Sequence, residues 1–181
     1  MDGMDVLSSI EQRREITQFK EIAIPQDILD KLIRSLYLAP SGNNLPSREF
    51  ILVTKRDMLE QLSTTTPYMK WLAGAGAGVV ITGNPGLSKY WLQDASIAGG
   101  FLWLTAVSFG LGAAWGAVYH SEDMAESVQR ESHVRSLLHV PEDMRVVAVI
   151  GLGYPAAAPE PKKSEPLQSV FHQESYGGEQ V

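Results

Sequence analysis

The 25 residues from Ala95 to Tyr119, "ASIAGGFLWLTAVSFGLGAAWGAVY", contain no charged side chain. A run of that length reaches across a bilayer or lies in the heart of a folded core. Gly110 and Gly112 divide it, and no cluster of Lys or Arg flanks either end, which disfavours a membrane span. The pattern predicts a helix over residues 88–109 followed by a shorter, strand-like piece. Such a helix is apolar nearly all round and needs cover on every side. In a chain of 181 residues, a second copy is the economical source of part of that cover, so a homodimer is expected.

With 44% hydrophobic residues, a chain of this length fills one core and not two, and residues 1–181 are expected to form one domain. Val6, Leu7 and Ile10 mark a short amphipathic helix ending near Arg13 and Arg14. Pro25 opens a second, in which Ile28, Leu29, Leu32, Ile33 and Leu36 recur at helical spacing. The runs "FILVT" at 50–54, "GVVITG" at 78–83 and "RVVAVIGLGYP" at 145–155 read as buried strands. Ser121 reads as the N-cap of a helix through "EDMAESVQR", and "SHVRSLLHV" as a further short helix before Pro141. From Pro155 onward the prolines are too frequent for a helix or a central strand, which predicts an extended tail over 155–181 lying on another surface. Helices and strands in mixed order give an α+β or α/β layered fold.

Several function classes fall away. The formal charge is −6 and the Lys and Arg residues are scattered, so nucleic acid is not expected as the main partner, although a single small phosphate is compatible. The absence of cysteine removes disulfides, thiolate metal sites and cysteine nucleophiles, and fits a reducing compartment. The N-terminus has acidic residues where a signal peptide has basic ones, and a cytoplasmic location is expected. "GAGAG" at 74–78 precedes a strand instead of following one, so it reads as a turn and not as a dinucleotide fingerprint. His120, His133, His139 and His172 lack metal-ligand spacing, and Ser41 has no nucleophile-elbow setting.

What remains is "LAPSGNNLPSREF" at 38–50, where Pro40, Ser41, Gly42, Asn43 and Asn44 separate a helix from a strand. An ordinary helix stop explains such residues; so does a loop that holds a ligand with backbone donors and short polar side chains. Together with "RREITQF" at 13–19, "GLGAAWG" at 110–116 and "GYPAAAPEPKKSEPLQSVF" at 153–171, this loop resembles the motifs of the nitroreductase family of flavin-dependent oxidoreductases. That family carries an Arg-Arg-Ser type motif, a Pro-Ser-x-x-Asn loop, a Gly-Leu-Gly turn and a basic tail, and the match runs through nearly the whole chain in the same order.

The resemblance implies an α+β fold, with a central, mostly antiparallel sheet flanked by helices, forming a homodimer with FMN at the interface and the tail packed on the partner. It implies that Arg13, Arg14, Lys162 and Lys163 hold the FMN phosphate, a dianion that needs several cationic donors. Pro40, Ser41 and Gly42 would bring donors to the phosphate or ribityl chain, and Asn44 a hydrogen bond to the flavin ring. Trp115 and Gly116 would pass close to the isoalloxazine; Trp115 is equally explained as a core aromatic. Glu15 takes the place of the usual serine among the implied cofactor-binding residues, where a carboxylate beside the phosphate is electrostatically unhelpful; the chain also departs from the family pattern at Thr17, where many members carry Lys or Arg, and at Pro46-Ser47-Arg48, which replace Gln-Pro-Trp. Arg48 either restores charge near the ring or pairs with a surface acid. The implied activity is hydride transfer from NADH or NADPH to flavin N5, then to an electron-poor acceptor such as a nitroaromatic or quinone, in two half-reactions. The alternative is an FMN-binding storage or sensing module without useful turnover.

Overall fold

The computed structural model describes residues 4–178. Its centre is a four-stranded sheet in the order β1-β2-β4-β3, antiparallel throughout, formed by β1 (Arg48–Val53), β2 (Ala77–Gly83), β3 (Gly112–Ala117) and β4 (Arg145–Gly153). The two central strands are the ones with unbroken apolar runs: β2 is buried at every position and β4 at all but its first. A strand covered on both faces needs no alternation, which is why "VVITG" and "VVAVIG" read as they do.

Helices cover both faces. On one side α2 (Gln26–Leu38) and α4 (Trp91–Ser108) pack Leu32, Leu36, Ala98 and Leu102 against Ile81 and Ile150. On the other, α3 (Arg56–Leu62) and α5 (Met124–Leu138) set Leu59, Leu62 and Val134 on Val80 and Val149. A short α1 (Val6–Gln12), capped by the Asp5 carboxylate on Ser8 N–H, precedes them and packs beside α4. This is the expected α+β arrangement of a mostly antiparallel sheet between helical layers.

Four local expectations change. The helix expected over 88–109 runs from Trp91 to Ser108, and no described helix is long and apolar enough to cross a membrane. Within one chain that helix is not covered all round: Gln93, Ser96, Ile97, Gly100 and Phe101 form a stripe facing outward, with Ile97 and Phe101 each 43% exposed. The two helices expected after Ser121 are the single α5, because Asp123 supplies the cap, accepting Glu126 N–H at 2.9 Å, and no Gly or Pro interrupts the chain until His139 turns left-handed at φ 56°. Helix α3 was not anticipated, since its seven residues carry only Met58, Leu59 and Leu62 as an apolar face. The strand expected at 50–54 begins earlier, at Arg48.

One buried ion pair ties α5 to β4. Glu131, 2% exposed, accepts from Arg145 Nε at 2.8 Å and Nη2 at 2.5 Å, from Val146 N–H at 3.0 Å and from the Ser127 hydroxyl at 2.9 Å. Burial pushes its carboxyl up, but the Arg145 guanidinium, the Val146 N–H and the Ser127 hydroxyl outweigh that and hold it below the ordinary glutamate value.

Candidate flavin site

The first group of expected site residues lies just past the end of α1. Arg13 is the residue at which that helix stops, and its guanidinium stacks 4.9 Å from the ring centroid of Trp103 on α4. Trp103 Nε1 in turn donates to the Arg14 carbonyl at 3.3 Å. Arg14 is oriented by three carbonyls: its Nε donates to Glu160 at 2.9 Å, and its Nη1 to Glu11 and Arg13 at 2.7 Å each. Nη2 is left without a protein partner among the described residues. The Glu160 bond brings the tail backbone alongside Arg14 two residues before Lys162. Neither Lys162 nor Lys163 makes an ion pair among the described residues, and both are exposed. Arg14 is thus tied to the tail segment that carries the two lysines.

Glu15 does not join that group. Its backbone bridges to Ala113, and its carboxylate accepts the N–H of Trp115 at 3.3 Å across the free edge of β3. The Trp115 ring faces inward, where a Cβ at Gly99 would come within 2.4 Å of it. Gly116 is small for a packing reason as well, because a Cβ there would meet the Met69 methyl at 2.5 Å. What β3 offers a ligand is therefore backbone, on the edge that Glu15 partly covers. Thr17 lies exposed on the same segment.

The second group is the loop between α2 and β1. A single 3-10 turn spans Gly42–Asn44, with Asn43 and Asn44 both left-handed at φ 55° and 56°. Asparagine tolerates that region because its short polar side chain replaces contacts that a larger residue would lose. Two of the expected donors are used inside the protein: Gly42 N–H goes to Asp94 Oδ1 at 2.8 Å, and the Ser41 hydroxyl to the Leu45 carbonyl at 2.8 Å. A Cβ at Gly42 would sit 2.5 Å from the Tyr90 ring, so this glycine lets the loop lie against the start of α4. The Asn44 side chain is exposed and makes no hydrogen bond among the described residues. With Pro40 and Ser41 it borders an open cleft of about 840 Å³ floored by Phe50 and walled by Ile33 and Tyr37. Arg48 lines the same cleft. Among the described residues it pairs with no acid: Nη2 donates to the Ala39 carbonyl, and its buried Nε has no partner there.

The two groups are far apart. Arg48 stands in the row of Gly83 and Arg145 on the β1 edge, whereas Ala113, beside Glu15, stands in the row of Leu152 and Ala77 on the β3 edge. Three strand spacings and six residues of β2 separate the backbone of Arg48 from that of Ala113 by roughly 25 Å. Among the described residues no cluster of His, Asp or Glu could hold a metal ion.

The sequence profile of the nitroreductase family matches residues 57–154, more than half of the chain. This chain belongs to the nitroreductase family. Within that family it is 35% identical, over 159 residues, to a protein of Methanothermobacter thermautotrophicus provisionally named NADH dehydrogenase/NAD(P)H nitroreductase, covering 86% of this chain and 80% of the relative. It is 24% identical over 195 residues to the FMN reductase [NAD(P)H] of Bacillus subtilis, covering 95% of this chain and 74% of that protein. The solved structure of an FMN-dependent nitroreductase from Clostridium difficile superposes with a TM-score of 0.85 at 26% identity, covering 94% of this chain and 99% of that one. The profile match does not include the Arg13-Arg14 pair, the Pro40–Asn44 loop or the tail beyond residue 154.

The donor chemistry of this nitroreductase fits a phosphate-bearing ring cofactor. One corner offers a carbonyl-oriented guanidinium with a free edge, suited to a phosphate. The other offers an unpartnered amide at the lip of an apolar cleft, suited to one polar edge of a planar ring.

Proposed function

We propose that this nitroreductase is an FMN-dependent NAD(P)H oxidoreductase that works as a homodimer, each flavin site being shared between the two copies. The cofactor and the electron donor follow from the relatives, an FMN reductase [NAD(P)H] and an FMN-dependent nitroreductase. The observation that supports the shared site is the placement of the two donor groups beside opposite corners of the sheet, which favours a flavin that takes its phosphate contacts from one copy and its ring contact from the other. The outward stripe of α4 and the exposed Leu167, Val170 and Phe171 of the tail support the same arrangement, since each needs an apolar partner surface.

In this reading Arg14, with Arg13 and the tail lysines Lys162 and Lys163, binds the phosphate of one FMN, and Asn44 of the other copy offers its amide to the ring. Ser41 and Gly42 shape the loop that presents Asn44. When bound, FMN supplies hydride acceptance from NADH or NADPH at N5 and onward transfer to an electron-poor acceptor such as a nitroaromatic or quinone, in two half-reactions. The chain's own contribution is position and charge: it holds the ring, orients what stacks on it and excludes water.

Two substitutions separate phosphate holding from ring holding. Arg14→Ala removes a charge-assisted contact worth about 1.5–3 kcal/mol and is expected to weaken FMN by roughly 10- to 150-fold while leaving riboflavin nearly unchanged. Asn44→Ala is expected to weaken both flavins and to shift the flavin reduction potential. Fluorescence titration with each flavin reads the first effect, and anaerobic redox titration the second. If Arg14→Ala harms riboflavin as much as FMN, the phosphate assignment is wrong. A yellow protein that neither NADH nor NADPH bleaches anaerobically would point instead to the storage or sensing module.

A further inference from the structure

Asp94 is the single charged residue of α4, and it is 2% exposed. A buried carboxylate is costly unless its oxygens are bonded, and the ion pairs among the described residues do not include it. Three donors and a dipole compensate it. Gly42 N–H lies 2.8 Å from Oδ1, the Ser47 hydroxyl 2.5 Å and the Ser88 hydroxyl 3.5 Å from Oδ2. Asp94 also stands in the first turn of α4, where the helix presents its positive end.

The spacing of the two loop partners gives this carboxylate more than a packing role. Gly42 precedes Asn43 and Asn44, and Ser47, itself 0% exposed, follows them. One side chain therefore grips the loop on both sides of its two left-handed residues. Asparagine tolerates left-handed backbone, but two such residues in succession are held in one arrangement only by their surroundings, and the grip supplies that constraint. We propose that Asp94 is the positioning residue of the ring-binding half of the site: by clamping Gly42 and Ser47 it holds the Asn43-Asn44 turn and fixes where the Asn44 amide meets the flavin. The proposal rests on the flavin reading above. It adds to that reading a residue some fifty positions away in sequence that touches no ligand.

The test compares Asp94→Ala and Asp94→Asn with the unaltered protein. Asn keeps one oxygen for Gly42 N–H, and its amide can donate to the Ser47 oxygen, so it is expected to preserve the clamp; Ala removes both bonds. In hydrogen-exchange mass spectrometry of the flavin-free proteins, residues 40–47 should lose protection in the Ala variant and keep most of it in the Asn variant. Titration should show FMN and riboflavin weakened to the same degree, roughly 10- to 100-fold, by Ala and less than about fivefold by Asn. The visible spectrum of bound FMN should shift in the Ala variant alone. If Asp94→Ala fails to fold, Ser47→Ala, which removes one jaw of the clamp, takes its place with the same signature at smaller amplitude.

Unchanged loop protection and unchanged flavin affinity in a folded Ala or Ser47 variant would overturn the proposal, as would an Asn variant that is as damaged as Ala. A loss confined to FMN, with riboflavin spared, would also overturn it, because the clamp acts on the ring. Unaltered protein that binds neither flavin would remove the flavin reading itself, a result distinct from a variant that fails to differ.

Discussion

Replacing Glu131 by Ala is expected to destabilise the chain by about 3 kcal/mol, the low end of the cost of breaking a buried ion pair. The low end applies because the Arg145 side chain is 24% exposed and can rehydrate once its partner is gone. The loss also frees Ser127 and the Val146 N–H, both buried and both committed to this carboxylate. For a chain of this size the midpoint of thermal unfolding should fall by roughly 6–12 °C, and circular dichroism on the flavin-free protein would measure it. A change below about 1 kcal/mol would mean that the α5–β4 seam is held by packing alone.

The same carboxylate predicts a pH dependence with a definite sign. Its folded pKa is lowered, so its stabilisation is complete above the unfolded glutamate value of about 4.3 and is lost as pH falls through the lower folded value. The stability gap between the unaltered protein and Glu131→Gln should therefore be constant near neutrality and narrow below about pH 4. Urea midpoints across that range would show it. A gap that widens on acidification would reverse the assignment.

Gly100→Arg is expected to abolish dimer and bound flavin together while leaving the single chain folded. Apart from the backbone of its own helix, no atom lies within 4 Å of a Cβ built at Gly100, so the chain itself has room, and an exposed helix gains up to about 0.8 kcal/mol from the loss of a glycine. In the proposed dimer, a second copy packed on Ile97, Gly100 and Phe101 would have no such room. Light scattering and released-flavin analysis read the two losses, and far-UV circular dichroism confirms the fold. A Gly100→Arg protein that stays dimeric and yellow would place the interface elsewhere.

What was legible in the sequence follows the range of the forces involved. Strands β2 and β4 announce themselves because a fully covered strand is an unbroken β-branched run, and α2 because Pro25 and the spaced Ile28, Leu29, Leu32 and Leu36 fix its start and its buried face, although Ile33, expected with them, is exposed. The sequence pattern divides α5 in two, whereas no Gly or Pro lies between Asp123, which caps it, and His139, where it ends, so the helix runs on unbroken. The site shows the same limit. Arg13, Arg14 and Asn44 could be nominated from short motifs, whereas Asp94 could not, since its partners lie 52 and 47 residues away and its own neighbours read only as an apolar helix. The bond from Glu15 to Trp115 spans 100 residues and turns a carboxylate, expected beside the phosphate, onto a strand edge. Separation of the donor groups across a sheet is a property of strand order, which no local pattern encodes.

The placement of those groups at opposite corners has a genetic reading. If each site takes Arg14 from one copy and Asn44 from the other, a chain damaged at one of these residues is not beyond rescue. In a pair made of one Arg14→Ala and one Asn44→Ala chain, one site collects both lesions and the other collects neither. Random reassembly of equal amounts of the two variants should restore about a quarter of all sites, the mixed pairs being half of the population and each carrying one intact site. Neither variant alone, at any concentration, would regain them, and a mixture that recovers nothing would return both residues to the same chain. Two defective alleles of this gene would then complement each other within one cell.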